Sequence, residues 1–436
     1  MSPLPIRTLI LSSVALLALL IPEAAGFPSR NQATPALKNT TTPVTVGKAV
    51  YLITNDGINS VVALPVSPDG TVSAGTLTKT GGAGSVALNT NGQPETPDAL
   101  LSQSALTIAG NFIFAVNAAC NTLSMLLISP SDPTSLTLVG QAASIPGDFP
   151  NTVAASLRHN LVCVGTTGAR SGISCTNFSS SSGLGKMDRL RPFGLNQTTP
   201  PVGPFNTVSQ TFFSEDESTL FTTVKGDPAA NKTGFLSAFS VQGASQSGRG
   251  GGNSIGASLA RTDTRNSPQG TAVLFGSQVI PGTKANIFAT DASFGAAILS
   301  VVDSDHRGGG GSDTKAAKVL ARVEVPGQKA TCWATISPAT GTAFVTDVGV
   351  NRLIEMSLED ASILGELDLS ANGDPGLIDL RAGGSFVYAL SPGNGTTEAA
   401  VTVVDVSGGK GSAKMVQHFE LKGLAGRNAM GMAVLV

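Results

Sequence analysis

Charge is scarce in this chain: 13% of its 436 residues are Asp, Glu, Lys or Arg, about half of what ordinary globular proteins carry. The two signs nearly cancel, with 27 basic against 29 acidic residues and a formal net charge of −2. No basic surplus remains to neutralise a phosphate backbone, so nucleic acid is excluded as a partner. Four cysteines are too few for a disulfide scaffold, and none stands in a CxxC zinc spacing. Only three histidines, one tryptophan and two tyrosines occur. No GxSxG nucleophile elbow and no GK[ST] phosphate loop is present, and the GRGGG and RGGGG tracts do not link a strand to a helix. Asp303, Asp305 and His306 share a Gly-rich loop and read as solvated, so neither metal nor cofactor is expected. The longest apolar run, Leu9 to Ile21, falls short of the roughly 20 residues that span a bilayer.

What is abundant points elsewhere. Hydrophobic residues make up 41% and glycine contributes 51 positions, which excludes a solvated disordered chain and suggests many turns. Arg7, the apolar run and the small residues Ala24, Ala25 and Gly26 have the layout of a secretory signal over 1–26. Residues 27–46 are Pro- and Thr-rich and read as an extended leader. Sequons at Asn39, Asn177, Asn196, Asn231 and Asn394 agree with export and glycosylation. Cys163 and Cys175 flank a Gly-rich turn between strand-like runs and are expected to form a disulfide across a hairpin. Cys120 and Cys332 read as buried thiols, with a bond between them as the alternative.

One strand pattern recurs along the chain: AVYLITND from Ala49, FIFAVNAA from Phe112, LVCVGTTG from Leu161, LFTTVKGD from Leu220, NIFATDAS from Asn286, AFVTDVGV from Ala343 and FVYALSPG from Phe386. Most copies follow an apolar run and precede a third and a fourth strand, so each unit is a four-stranded meander. The fold class is therefore all-β, a seven-bladed propeller over 47–436. The first unit lacks its innermost strand, while a spare run, NAMGMAVLV, ends the chain. Pairing the two closes the ring.

With the repeats placed, the sequence resembles the seven-bladed propellers of the lactonase and carboxymuconate-cyclase group, in particular secreted fungal members described as 3-carboxymuconate cyclase-like. The matching stretches begin at Val116, Asp148, Phe212 and Thr331, and the resemblance covers about Lys48 to Val436. It implies a central funnel in which a histidine after a proline on an innermost strand works with acidic and arginine side chains. Here that place reads Phe149-Pro150-Asn151-Thr152, and asparagine carries no proton at neutral pH. His159, His306 and His418 all read as solvated. Lining of the funnel is expected from Gln103, Asn151, Asn206, Gln210, Asp379, Arg381, Arg427 and Asn428. Arg381 and Arg427 are placed to clamp an anion together, with pairing of Arg381 to Asp379 as the alternative. Lys225, in TTVKGDP, reads as a strand cap. The leading expectation is a secreted, monomeric, glycosylated propeller without catalysis that binds an extracellular, host or cell-wall component. The alternative is a lactone hydrolase or cycloisomerase acting in the funnel.

Overall fold

The computed structural model describes residues 45–243, 256–303 and 315–436; the signal segment, Asn39 and the rest of the leader up to residue 44, Asp305, His306 and the GRGGG and RGGGG tracts lie outside them. Seven antiparallel sheets follow one another along the chain. Helix among the described residues is confined to two single turns, Pro228–Ala230 and Ser370–Asn372. The recurring pattern forms the second strand of each blade, and its composition follows from its position. Ala49–Ile53, Leu161–Thr166, Thr219–Val224, Thr342–Asp347 and Phe386–Ser391 are buried at every residue. Neighbouring blades cover both faces of these strands, so the apolar run is continuous where a half-buried strand would alternate. Outer strands such as Thr76–Lys79 and Ile363–Asp368 are largely exposed and hold polar residues.

The innermost strands of blades 2 to 7 are Leu106–Ala109, Pro150–Ser156, Val208–Phe213, Leu274–Val279, Thr331–Ser337 and Ile378–Gly383. Blade 1 takes its own from the end of the chain: Met430–Leu435 pairs antiparallel with Ala49–Ile53. The ring is thus closed by the C-terminal strand, as the spare run implied.

Six of the seven blades carry a register shift near the start of the innermost strand, at Asn151, Ser209, Phe275 with Gly276, Cys332 with Trp333, Asp379, and Gly431 with Met432. A bulge places two residues against one and re-aims the side chains beside it. In this ring the displaced residues cluster about the axis.

Between the first and second blades, Ala99 to Ala105 crosses the centre of the ring and is buried throughout. Leu101 and Ser104 have positive φ of 57° and 67°, which bends the segment tightly enough to sit there. Its backbone and side chains bond to five blades. Asn151 Nδ2 donates to Leu100 O at 3.2 Å, and the Gln103 backbone N–H donates to Ser209 O at 2.9 Å. Gln103 Nε2 donates to Ala334 O at 2.8 Å, and the Ser104 backbone N–H donates to Asp379 Oδ2 at 3.2 Å. In blade 5, a Cβ at Gly276 would stand 2.4 Å from Gln103 Oε1. The same Cβ would meet the backbone of the blade 6 innermost strand, at 2.6 Å from Cys332 O and 2.7 Å from Ala334 N, so only glycine lets these neighbours lie so close.

Candidate functional site

The residues expected to line the funnel divide into two groups. Gln103, Asn151, Gln210 and Asp379 are all buried near the axis and make hydrogen bonds that join the blades, with Asn151 Oδ1 left without a partner. Asp379 accepts from the backbone N–H groups of Ser104, Leu380 and Met432 and from Arg381 Nη1 at 3.0 Å. Burial pushes its carboxyl up, while Arg381 and those N–H groups act in the opposite direction. Arg381 also donates to Ser104 Oγ at 2.6 Å. Arg427 lies apart in an exposed turn, so the two arginines form no clamp; the pairing with Asp379 is what the structure shows. Asn206 holds Leu195 O at 2.9 Å, and Asn428 holds Asp56 Oδ1 at 2.8 Å. Both serve loops at a distance from the axial cluster.

Two further expectations are corrected. His418 is half-buried and pairs with Asp374 at 3.0 Å, which raises its pKa above the usual imidazole value, whereas His159 sits in a turn with intermediate exposure. Cys120 is exposed because it falls in the turn after Phe112–Asn117; Cys332 is buried, and both are free thiols. The expected hairpin disulfide is present, since Cys163 and Cys175 are directly opposed in register. Asn196, Asn231 and Asn394 are exposed, whereas Asn177 is half-buried and spends its amide on Asn160 O and Ala257 O.

Lys225, expected as a strand cap, is corrected too. It is buried, 2% exposed, and lines a cavity of about 350 Å³ at the end of the ring where the innermost strands begin. The repeat explains its position. Lys225, Ala292 and Val348 each follow the second strand of their blade, and each donates its N–H to the segment leading into the innermost strand, at Thr207 O, Val273 O and Ala330 O. All three line the cavity. A lysine at a position where the adjacent repeats have Ala and Val, in a charge-poor chain, was the available signal.

Around Lys225 the wall combines apolar and acidic groups. Its Nζ donates to Leu101 O at 2.6 Å and stands 4.3 Å from the centre of the Phe275 ring. Phe275 meets Trp333 at 4.7 Å between centroids, and Trp333 Nε1 donates to Ser102 O at 3.0 Å. Asp98 and Glu95 reach the cavity from the loop before the axial segment. Burial pushes the Asp98 carboxyl up to about 7 and the Lys225 ammonium down to about 8, each opposed by the charge of the other. Glu95 is also raised by burial, and its buried Oε2 has no hydrogen-bond partner. Burial pushes the Cys332 thiol up, opposed by the charge of Lys225 and aided by nearby carboxylates, which favours the protonated form.

Two aspartates shape the rest of the wall. Asp291 accepts from the N–H groups of Ala272 and Val273, and Asp347 from those of Lys329 and Ala330, fixing the turns that lead into blades 5 and 6. A second cavity, lined by Gln210, Phe213, Gln278 and Arg381, opens toward the other end of the innermost strands and shares no residue with the first. Among the described residues no group of three His, Cys, Asp or Glu side chains is placed to hold a metal ion, and no helix is long and apolar enough to cross a membrane.

No family model matches the chain, and no curated protein matches it in sequence. Solved structures match in fold. The periplasmic gluconolactonase of Pseudomonas aeruginosa aligns over 89% of this chain and 99% of its own, with a TM-score of 0.57 at 13% identity. A hypothetical selenium-binding protein from Sulfolobus tokodaii aligns over 90% and 94%, with a TM-score of 0.55 at 11% identity. A candidate 6-phosphogluconolactonase from Bacteroides uniformis aligns over 70% and 80%, with a TM-score of 0.50 at 15% identity. At such identities the likeness is one of architecture, and the chain has the seven-bladed ring found in lactonase-like propellers.

Proposed function

We propose that the cavity beside Lys225 hydrolyses small cyclic esters. The observation that carries this reading is a lysine and a carboxylate whose protonation equilibria burial has drawn together near neutral pH, in a largely apolar cavity at the axis of a lactonase-like ring. Perturbed titratable groups in a concave site are the usual mark of acid and base chemistry. In the reaction, the Asp98 carboxylate takes a proton from water as the water oxygen bonds to the ring carbonyl carbon. The Lys225 ammonium stabilises the oxyanion that develops. The ring C–O bond then breaks, and the departing alkoxide receives the proton held by Asp98, leaving a hydroxy acid. Glu95 supplies negative charge that helps keep Lys225 protonated.

The purified protein is expected to open simple lactones, and Asp98→Asn and Lys225→Met are each expected to lower kcat/KM by about 10² to 10³ while far-ultraviolet circular dichroism stays unchanged. Equal activity in both variants would overturn the assignment. A non-catalytic binding propeller is the second reading, favoured by Asn151 and by the axial polar groups being spent on one another; saturable ligand binding without turnover of any lactone would establish it. Export is part of the proposal, supported by the character of residues 1–26 and by the exposed sequons at Asn196, Asn231 and Asn394.

A further inference from the structure

We infer that the Lys225 cavity selects cyclic esters with an alkyl or aryl substituent and rejects polyhydroxylated sugar lactones. The inference rests on the hydrolytic reading and adds a substrate class to it. The charged side chains of the lining are Lys225, Asp98, Glu95 and, exposed, Lys329, while the Ser293 hydroxyl is already spent on Asp291 Oδ1. The rest of the wall is largely apolar and includes Phe275, Trp333, Val273, Val348 and Pro97. The polar atom of the indole is already spent, since Trp333 Nε1 donates to Ser102 O, so the ring presents hydrocarbon to the cavity. Lys225 Nζ is bonded to Leu101 O and has limited capacity beyond one oxyanion. A sugar lactone carries several hydroxyl groups that leave water on binding, and most would face this wall without a partner. An alkyl or aryl substituent loses nothing there and gains contact with both aromatic rings.

Size and the lip of the cavity agree. About 350 Å³ lies at the low end of the range for small-molecule sites and suits one substituted five- or six-membered ring. Phe205 stands at the mouth with 41% of its surface exposed, an aromatic ring placed where a protruding substituent would cover it.

The full chain tests this with two probes, δ-decanolactone and glucono-1,5-lactone. Trp333 is the only tryptophan in the sequence, so intrinsic fluorescence reports occupancy of this one cavity. The expected result is a kcat/KM at least about tenfold higher for δ-decanolactone, with a saturable fluorescence change. Phe205→Ala removes an exposed side chain that supports no core, and it is expected to raise the δ-decanolactone Kd about five- to tenfold while leaving glucono-1,5-lactone unaffected. Preference for glucono-1,5-lactone, or equal weakening of both probes by Phe205→Ala, would overturn the selectivity and leave hydrolysis standing. Saturable binding of δ-decanolactone with no turnover of either probe would uphold the selectivity and defeat the hydrolytic reading. A silent Trp333 toward both probes would defeat the selectivity outright.

Discussion

Lys225 shows how much one residue depends on its surroundings. The same ammonium at the end of a surface strand would stay charged far above neutrality, but the cavity removes its water and so favours the neutral form. Asp98 is pushed the opposite way for the same reason, because its charged form is also the one that loses water. The signs fix the pH dependence. Catalysis needs Asp98 ionised, so kcat/KM rises as pH passes about 7; it needs Lys225 protonated, so kcat/KM falls as pH passes about 8. A narrow bell between these values is expected from a pH profile, and its limbs belong to the coupled pair. Lys225→Met removes the alkaline limb and moves the acid limb upward, since the cation that lowers Asp98 is gone. From sequence alone only the lysine's odd place among the repeats was legible at Lys225, and its burial was not. Its burial comes from Leu101, Phe275 and Trp333, residues more than a hundred positions away or on other blades, and no local pattern announces them.

Strands and turns were far more legible than their irregularities. The second strands could be read directly because burial on both faces demands an unbroken apolar run, and the hairpin joining Leu161–Thr166 to Gly172–Ser179 could be read from its glycines. Cys163 and Cys175 are paired across that hairpin. Replacing both with alanine is expected to lower the unfolding free energy by about 3 kcal/mol, as a cross-link closing so short a loop removes about that much entropy from the unfolded chain; denaturant titration measures it. The bulges were invisible because a register shift depends on the partner strand as much as on its own residues. Those shifts put Phe275 and Trp333 on the cavity wall and Asn151 and Asp379 about the axis. Asn151, Gln210 and Asp379 could therefore be named as axial from their place on inner strands, while their use in binding blades to one another could not.

At the scale of the whole molecule, the ring explains the scarcity of charge. Seven sheets packed face to face bury most of each second strand, and the few ionisable groups inside, such as Asp291, Asp347 and Asp379, are each held by backbone N–H groups. Closure relies on one short strand, and Asp379 ties that strand to the axis through Met432 N. Deleting Gly431 to Val436 is expected to cost about 2 to 5 kcal/mol for the buried Met432 side chain alone. It also leaves Ala49–Ile53 with an unpaired edge. A lower melting temperature and concentration-dependent aggregation should follow; an unchanged melting curve would mean the ring does not need this strand. The axial segment from Ala99 to Ala105 has a different effect. By filling the centre with buried residues, it takes the place of a through-passage, and the cavities at Lys225 and at Arg381 share no residue. A ligand held at Lys225 and one held beside Arg381 would therefore not compete for space.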